Sequence, residues 1–202
     1  MFMSSFLNGM INEDHESYEG IIVPDIDIDT ERTHMIMINE AVPTDKDQYF
    51  YSGREDSEYA NAAIEIFRRA GKQVDSMDDI LRMGVYVTSA VKCPKKESTI
   101  DSDTIKKYSF LLEKELELFK NLKVIMLMGD VAKKSMNMIT KRNTGKNVIP
   151  SISTYKIRDN EYFYDSIRVM PSYIMTGPNL LIEKSKMEMI IQDVGKALSL
   201  LD

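Results

Sequence analysis

Residues 123–139 read KVIMLMGDVAKKSMNMI. Behind the leading lysine stand five apolar residues in a row, the composition of a short strand buried on both faces. Gly129-Asp130 then marks a tight turn, and the apolar residues beyond it recur at helical spacing. The stretch reads as strand, turn and helix, with Asp130 as a simple helix cap. The backbone N–H groups exposed at such a turn are able to hold an anion. A structural turn is the plainer reading, because no Walker-type glycine-lysine pattern accompanies it.

Working outward, HMIMINEA (34–41) is a second apolar run ending in polar and turn residues, and VYVTSAV (85–91) is a third, rich in β-branched side chains. TDKDQYFYSGRE (44–55) reads as an irregular loop. From Ser57, apolar residues at 59, 63, 64, 66, 67 and 70 make a helical stripe that Gly71 terminates. Ser76 and Asp79 have the spacing of a capping box and open a short helix. Asp103 or Ser102 caps a long helix over 104–120, whose stripe is Leu111, Leu112, Glu115, Leu116 and Phe119. Two extended stretches, 147–157 and 161–170, precede a last helix over 179–200. Strands alternating with helices predict an α/β fold: three layers, with a central, mostly parallel sheet of four to five strands flanked by helices. The 15 methionines mostly fall on core positions, as flexible packing side chains.

The chain has 202 residues, 43% hydrophobic and 29% charged, with a formal net charge of -6. That composition suits a soluble globular protein and excludes disordered and collagen-like classes. No apolar run approaches the roughly 20 residues of a membrane helix, and the N-terminus lacks the pattern of a secretory signal, so the expected location is the cytoplasm. One cysteine, Cys93, and two histidines, His15 and His34, rule out an internal disulfide and argue against a metal site. The charge is uneven. Residues 1–31 carry eight carboxylates and no Lys or Arg, which leaves 26 basic against 24 acidic residues elsewhere, a net +2. Residues 1–33 are therefore expected to form an acidic lead-in and residues 34–202 a single domain. Between Lys92 and Arg158 the count is 15 basic to 7 acidic, so an anionic partner is permitted.

In parallel sheets, ligands sit outside the carboxyl ends of the strands. Here those ends carry Asn39-Glu40-Ala41-Val42-Pro43 with the loop Tyr49-Phe50-Tyr51-Ser52-Gly53, then Thr88-Ser89, Gly129-Asp130 and Met170-Pro171-Ser172-Tyr173. Their order and spacing resemble the uracil-DNA glycosylase superfamily, particularly its iron-sulfur class. NEAVP and Tyr51-Ser52-Gly53 stand where that class has Gly-Glu-Ala-Pro-Gly and an aromatic-x-Gly loop. Thr88-Ser89-Ala90-Val91-Lys92-Cys93 matches Thr-Asn-x-x-Lys-Cys, LLEKELELFKNLKVIMLMGDVA matches a Leu-x-x-Glu-Leu helix and its following strand, and Met170-Pro171-Ser172 matches His-Pro-Ser. The similarity covers about residues 34–200.

The resemblance implies a glycosylase fold, DNA or an extruded nucleobase as partner, and a role in DNA repair as a hydrolase acting on glycosidic bonds. It also exposes departures. Four cysteines hold the cluster of that class, whereas here Tyr108 falls where the cysteine after Cys93 is expected, so no cluster and no other cofactor is expected. Ser89 replaces the asparagine that reads uracil, and Met170 replaces the histidine that stabilises the departing base. Glu40 has two readings of equal weight: it positions or deprotonates water, or it caps the adjacent loop or pairs with a nearby lysine. Asp45 and Asp47 are back-up carboxylates or turn formers. Tyr51 offers a ring for stacking on a base, although packing the loop against the core is the plainer task for one or other of Tyr49, Phe50 and Tyr51. Ser89 offers one hydrogen bond, Met170 packing or an apolar wedge at the site rim, and Tyr173 a hydroxyl beside the lost histidine. Gly129, Pro171 and Ser172 are the candidates for a DNA phosphate. The expected function is that of a divergent glycosylase-like protein, which leaves hydrolysis of a damaged or deaminated base open; the alternative is a non-catalytic nucleotide- or protein-binding module on the same fold.

Overall fold

The computed structural model describes residues 1–13, 18, 20–95, 99–176 and 183–201. Its elements in chain order are α1 (Met3–Glu13), β1 (Met35–Ala41), α2 (Glu58–Arg69), α3 (Met77–Arg82), β2 (Val85–Val91), α4 (Ser102–Leu116), β3 (Val124–Met128), α5 (Asp130–Thr144), α6 (Thr154–Ile157), β4 (Tyr162–Tyr164), β5 (Ile167–Ser172) and α7 (Lys184–Ser199). They build a five-stranded sheet of order β2-β1-β3-β5-β4. The first four strands are parallel, and β4 pairs antiparallel to β5. The carboxyl ends of β1, β2, β3 and β5 consequently share one edge. Among the described residues, no helix is long and apolar enough to cross a membrane.

Side chains alternate across the sheet with a period of two. Met35, Met37, Val85, Val87, Met126 and Met170 point into a core closed by α2, α3 and α7. Ile36, Ile38, Tyr86, Ile125, Leu127 and Val169 point into a second core closed by α1, α4 and α5. Both faces of the central strands are covered, which is why their sequences read as unbroken apolar runs. The acidic lead-in contributes to the second core: Met3 and Leu7 of α1 are fully buried there beside Ile105 and Leu112. Backbone bonds tie it to the rest, with Ile22 N–H donating to the Lys92 carbonyl at 2.8 Å.

Four local expectations need correction. Asp130 does not cap α5: Gly129 is the N-cap residue, and Asp130 is the first helical residue, paired with Lys133 at 2.7 Å. α4 starts earlier than expected and ends at Leu116, because Asp101 rather than Ser102 or Asp103 accepts from Thr104 N–H at 2.8 Å. Residues 147–157 form no strand; their last four residues are α6. The Asn137 amide takes the place of a neighbouring strand by donating to the Ile149 carbonyl (2.9 Å) and accepting from its N–H (3.1 Å). The loop over 44–55 contains a 3-10 turn at Lys46–Gln48, capped by Asp45. The capping box of Ser76 and Asp79 is present in full. The expected start of the last helix, including Leu181 and Ile182, lies outside the described residues, and α7 is described from Lys184.

Candidate active site

Glu40 is the penultimate residue of β1 and projects toward the start of α5. Its Oε1 accepts from Val131 N–H at 3.2 Å, and its Oε2 accepts from the Lys95 ammonium at 2.9 Å. Supplied from another strand, this carboxylate does what Asp130 does not: it satisfies a free N–H of the first turn and meets the positive end of the helix, an arrangement worth about 0.3–1 kcal/mol. Gly129 makes room for it. A Cβ at 129 would lie 2.6 Å from Glu40 Oε1, and φ is +104°. The anion held at this glycine turn is therefore the protein's own carboxylate. Glu40 keeps 13% of its side-chain surface exposed, so it combines capping and lysine pairing with access from the sheet edge.

The aromatic loop lies along the other end of that edge. Ser57 Oγ donates to the Tyr49 carbonyl at 2.8 Å while accepting from Ala60 N–H, so one hydroxyl caps α2 and anchors the loop to it. Tyr51 accepts from Val87 N–H at 2.9 Å and stacks on Tyr86 at 6.2 Å between ring centroids. Val87 belongs to β2, an outer strand of the sheet, and Tyr51 supplies a partner that this edge otherwise lacks. Burial holds the Tyr51 phenol well above its ordinary range, with the Val87 N–H pulling the other way.

Beneath this loop, Asn39 and Ser89 are register partners on β1 and β2, and both are fully buried. Asn39 Nδ2 donates to Thr176 Oγ1 at 3.0 Å. Asn39 Oδ1, Ser89 Oγ and the Tyr49 hydroxyl have no hydrogen-bond partner among the described residues. Burial raises the Tyr49 phenol, and the nearby Ser89 and Thr88 hydroxyls oppose this without closing a hydrogen bond. Each unpaired buried polar group costs about 1–3 kcal/mol, so three at one place are an expensive feature.

On the opposite face of β2, Lys92 and Glu115 form a fully buried ion pair at 2.7 Å. Lys92 Nζ also donates to Thr88 Oγ1 (2.5 Å) and to the Ser89 carbonyl (2.8 Å). Glu115 Oε1 accepts from Tyr86 (2.7 Å) and Thr88 (2.8 Å). Desolvation lowers the Lys92 ammonium pKa, and Glu115 opposes the shift. This network fixes the strand end that carries Ser89. Its sequence signal was Glu115, a carboxylate standing inside an apolar helical stripe.

At the end of β5, Met170 is 5% exposed and belongs to the core with α7, which agrees with a packing role, the first of its two readings, rather than with an apolar wedge at the site rim. Ser172 is fully buried, and its hydroxyl donates to Asp193 Oδ2 at 2.7 Å. Asp193 is held in turn by Arg158, with Nη2 to Oδ1 at 2.7 Å. Burial raises the Asp193 carboxyl, while Ser172 and Arg158 counteract it. A hydroxyl committed in this way is not presented to a phosphate. Tyr173 is half-buried; burial raises its phenol, and Arg158 opposes the shift. Asp193, like Glu115, was legible only as a charge among apolar helix positions, and Arg158 carried no signal.

The sheet thus brings Glu40 against Gly129, and Gly129 N–H against the Ser172 carbonyl at 3.2 Å. It sets Asn39 beside Ser89. It leaves Tyr51 at the outer side of β2, three strands or about 14 Å from β5. Asp45 serves its own turn, and Asp47 faces Arg54 across 3.9 Å. An iron-sulfur cluster does not fit these residues: with one cysteine the chain lacks the thiolates to hold one. Tyr108 is buried near Cys93 with its ring edge-on to Tyr18, 5.3 Å between centroids.

No curated protein matches the chain. The family model described as the uracil DNA glycosylase superfamily matches residues 42–194. The matched stretch starts two residues after Glu40 and takes in the aromatic loop, Ser89, Gly129 and the run from Met170 to Tyr173. With that coverage and a mostly parallel five-stranded sheet layered between helices, the chain belongs to the uracil-DNA glycosylase superfamily.

Proposed function

We propose that the protein binds DNA with a base extruded toward the carboxyl edge of the sheet, and that Glu40 orients a water molecule for hydrolysis of the N-glycosidic bond. The observation that carries this reading is the position of Glu40: a part-exposed carboxylate at the edge where β1, β2, β3 and β5 end, held in place by Val131 N–H and Lys95. In the step, the water oxygen attacks C1′, the glycosidic bond breaks with its electron pair passing to the base, and Glu40 takes the proton of the attacking water. The developing charge on the base meets no donor at position 170, since a thioether offers none. Loss of one such donor costs on the order of 100- to 1000-fold in rate, so slow base release is expected.

A second reading has its own support. Met170 lies in the core and the Ser172 hydroxyl is committed to Asp193, which suits a module that binds a nucleotide or a protein partner without chemistry. Base-release assays on single- and double-stranded oligonucleotides carrying uracil, hypoxanthine, xanthine or oxidised bases separate the two. Release that disappears in Glu40→Gln supports the enzyme. Salt-dependent DNA binding without release from any substrate supports the module.

A further inference from the structure

Five buried side-chain polar atoms lack a partner among the described residues: Asn39 Oδ1, Tyr49 Oη, Ser89 Oγ, Ser135 Oγ and Arg168 Nε. Ser135 and Arg168 belong to α5 and β5. The other three gather at the carboxyl ends of β1 and β2. Asn39 and Ser89 are directly paired in the parallel ladder, so their side chains share one face, and the Tyr49 phenol is close enough to Ser89 to feel its hydroxyl. Native proteins seldom leave such groups unpaired without a functional reason.

We propose, building on the nucleobase reading above, that Asn39 is the specificity-determining residue that reads the edge of the bound base. Thr176 accepts from Asn39 Nδ2 and leaves Oδ1 free. One amide oxygen next to two hydroxyls matches a lactam edge: the ring N–H donates to Asn39 Oδ1, and the neighbouring carbonyl accepts from Ser89 or Tyr49. All three groups and Thr176 are uncharged, so the cluster selects a neutral heterocycle over a phosphate or a carboxylate. A buried site built around such bonds rejects an analogue that cannot make them, because its own polar groups then stay unpaired.

The test is calorimetric titration of the full chain with uracil and hypoxanthine, each beside its analogue methylated at the lactam nitrogen. The wild-type chain is expected to prefer the unmethylated bases by about ten- to a hundredfold. Asn39→Leu removes that preference; Asn39→Ala is the second variant, should leucine disturb folding as judged by circular dichroism. Absence of a preference in the wild-type chain, or a preference that survives both substitutions, overturns the assignment. Fluorescence anisotropy with a labelled single-stranded oligonucleotide keeps the two levels apart. If oligonucleotide binding persists while the base preference is absent or insensitive to residue 39, only the Asn39 inference fails. If no oligonucleotide binds at low salt, the nucleobase reading fails and takes the inference with it.

Discussion

Gly129 and Glu40 are far apart in sequence and in close contact in the fold. Gly129→Ala places a methyl group 2.6 Å from Glu40 Oε1 and forces a positive φ on a residue with a side chain. It is expected to cost more than 1 kcal/mol in urea denaturation, roughly the penalty for side chains in left-handed backbone, and to reduce any base release with it. Glu40→Gln keeps the oxygen that accepts from Val131 N–H, so its stability should change by less than about 1 kcal/mol. A large loss of stability in Glu40→Gln would mean that the charge of this carboxylate, paired with Lys95, is chiefly structural. The Lys92–Glu115 pair behaves differently, because both partners are fully buried. Glu115→Leu strands a buried ammonium and should cost about 3–5 kcal/mol, whereas Lys92→Met combined with Glu115→Leu should recover much of that loss. Equal destabilisation by the single and double variants would contradict this. None of these couplings was fully legible in sequence, since each joins residues far apart in the chain: Glu40 to Val131, Lys92 to Glu115, Ser172 to Asp193.

Elements were easier to read than their joints. β2 was legible to the residue because all seven side chains are buried, and burial is what the apolar run records. α2 and α3 were legible because their caps, Ser57 and Ser76, lie next to the turns they satisfy. α5 misled at its first residue because its cap comes from β1. The stretch after it misled because the amide of Asn137 pairs with the Ile149 backbone and occupies the bonds that a strand would use. Of the candidate site, Glu40 and the strand ends were legible as positions, while the side-chain partners that commit Ser172 and Tyr51 were not. The lead-in offers a prediction at this scale. Leu7 of α1 is fully buried against the α4 side of the molecule, so Leu7→Ala should cost about 2–5 kcal/mol in equilibrium unfolding. An unchanged midpoint would mean that α1 does not belong to the folded core.

At the level of the whole molecule, the buried phenols set an alkaline limit. Burial raises Tyr49, Tyr51, Tyr86 and Tyr108 above 10.0. In the unfolded chain they ionise near that ordinary value, while the folded state retains their protons. Their contribution is fully present below pH 10 and is lost as pH rises through their folded values. Lys92 works in the opposite sense, because its lowered pKa lets the folded state release a proton first, but it is one group against several. Absorbance titration of the ten tyrosines should therefore show the buried phenols ionising only as the fold is lost. Simultaneous ionisation of all ten with circular dichroism unchanged would contradict this.

The formal charge of -6 conceals a lead-in of eight carboxylates and a remainder of +2, so the acidic total says little about partners. What the fold concentrates at one edge is a carboxylate on a helix N-terminus and a set of polar groups unpaired among the described residues. The most direct measurement is single-turnover release of base from uracil- and hypoxanthine-containing single strands, with protein in excess, comparing the wild-type chain with Glu40→Gln. Slow release that falls at least tenfold in Glu40→Gln, with DNA affinity retained, is the expected result. Release at the same rate in both proteins, or none in either, would contradict a catalytic role for Glu40.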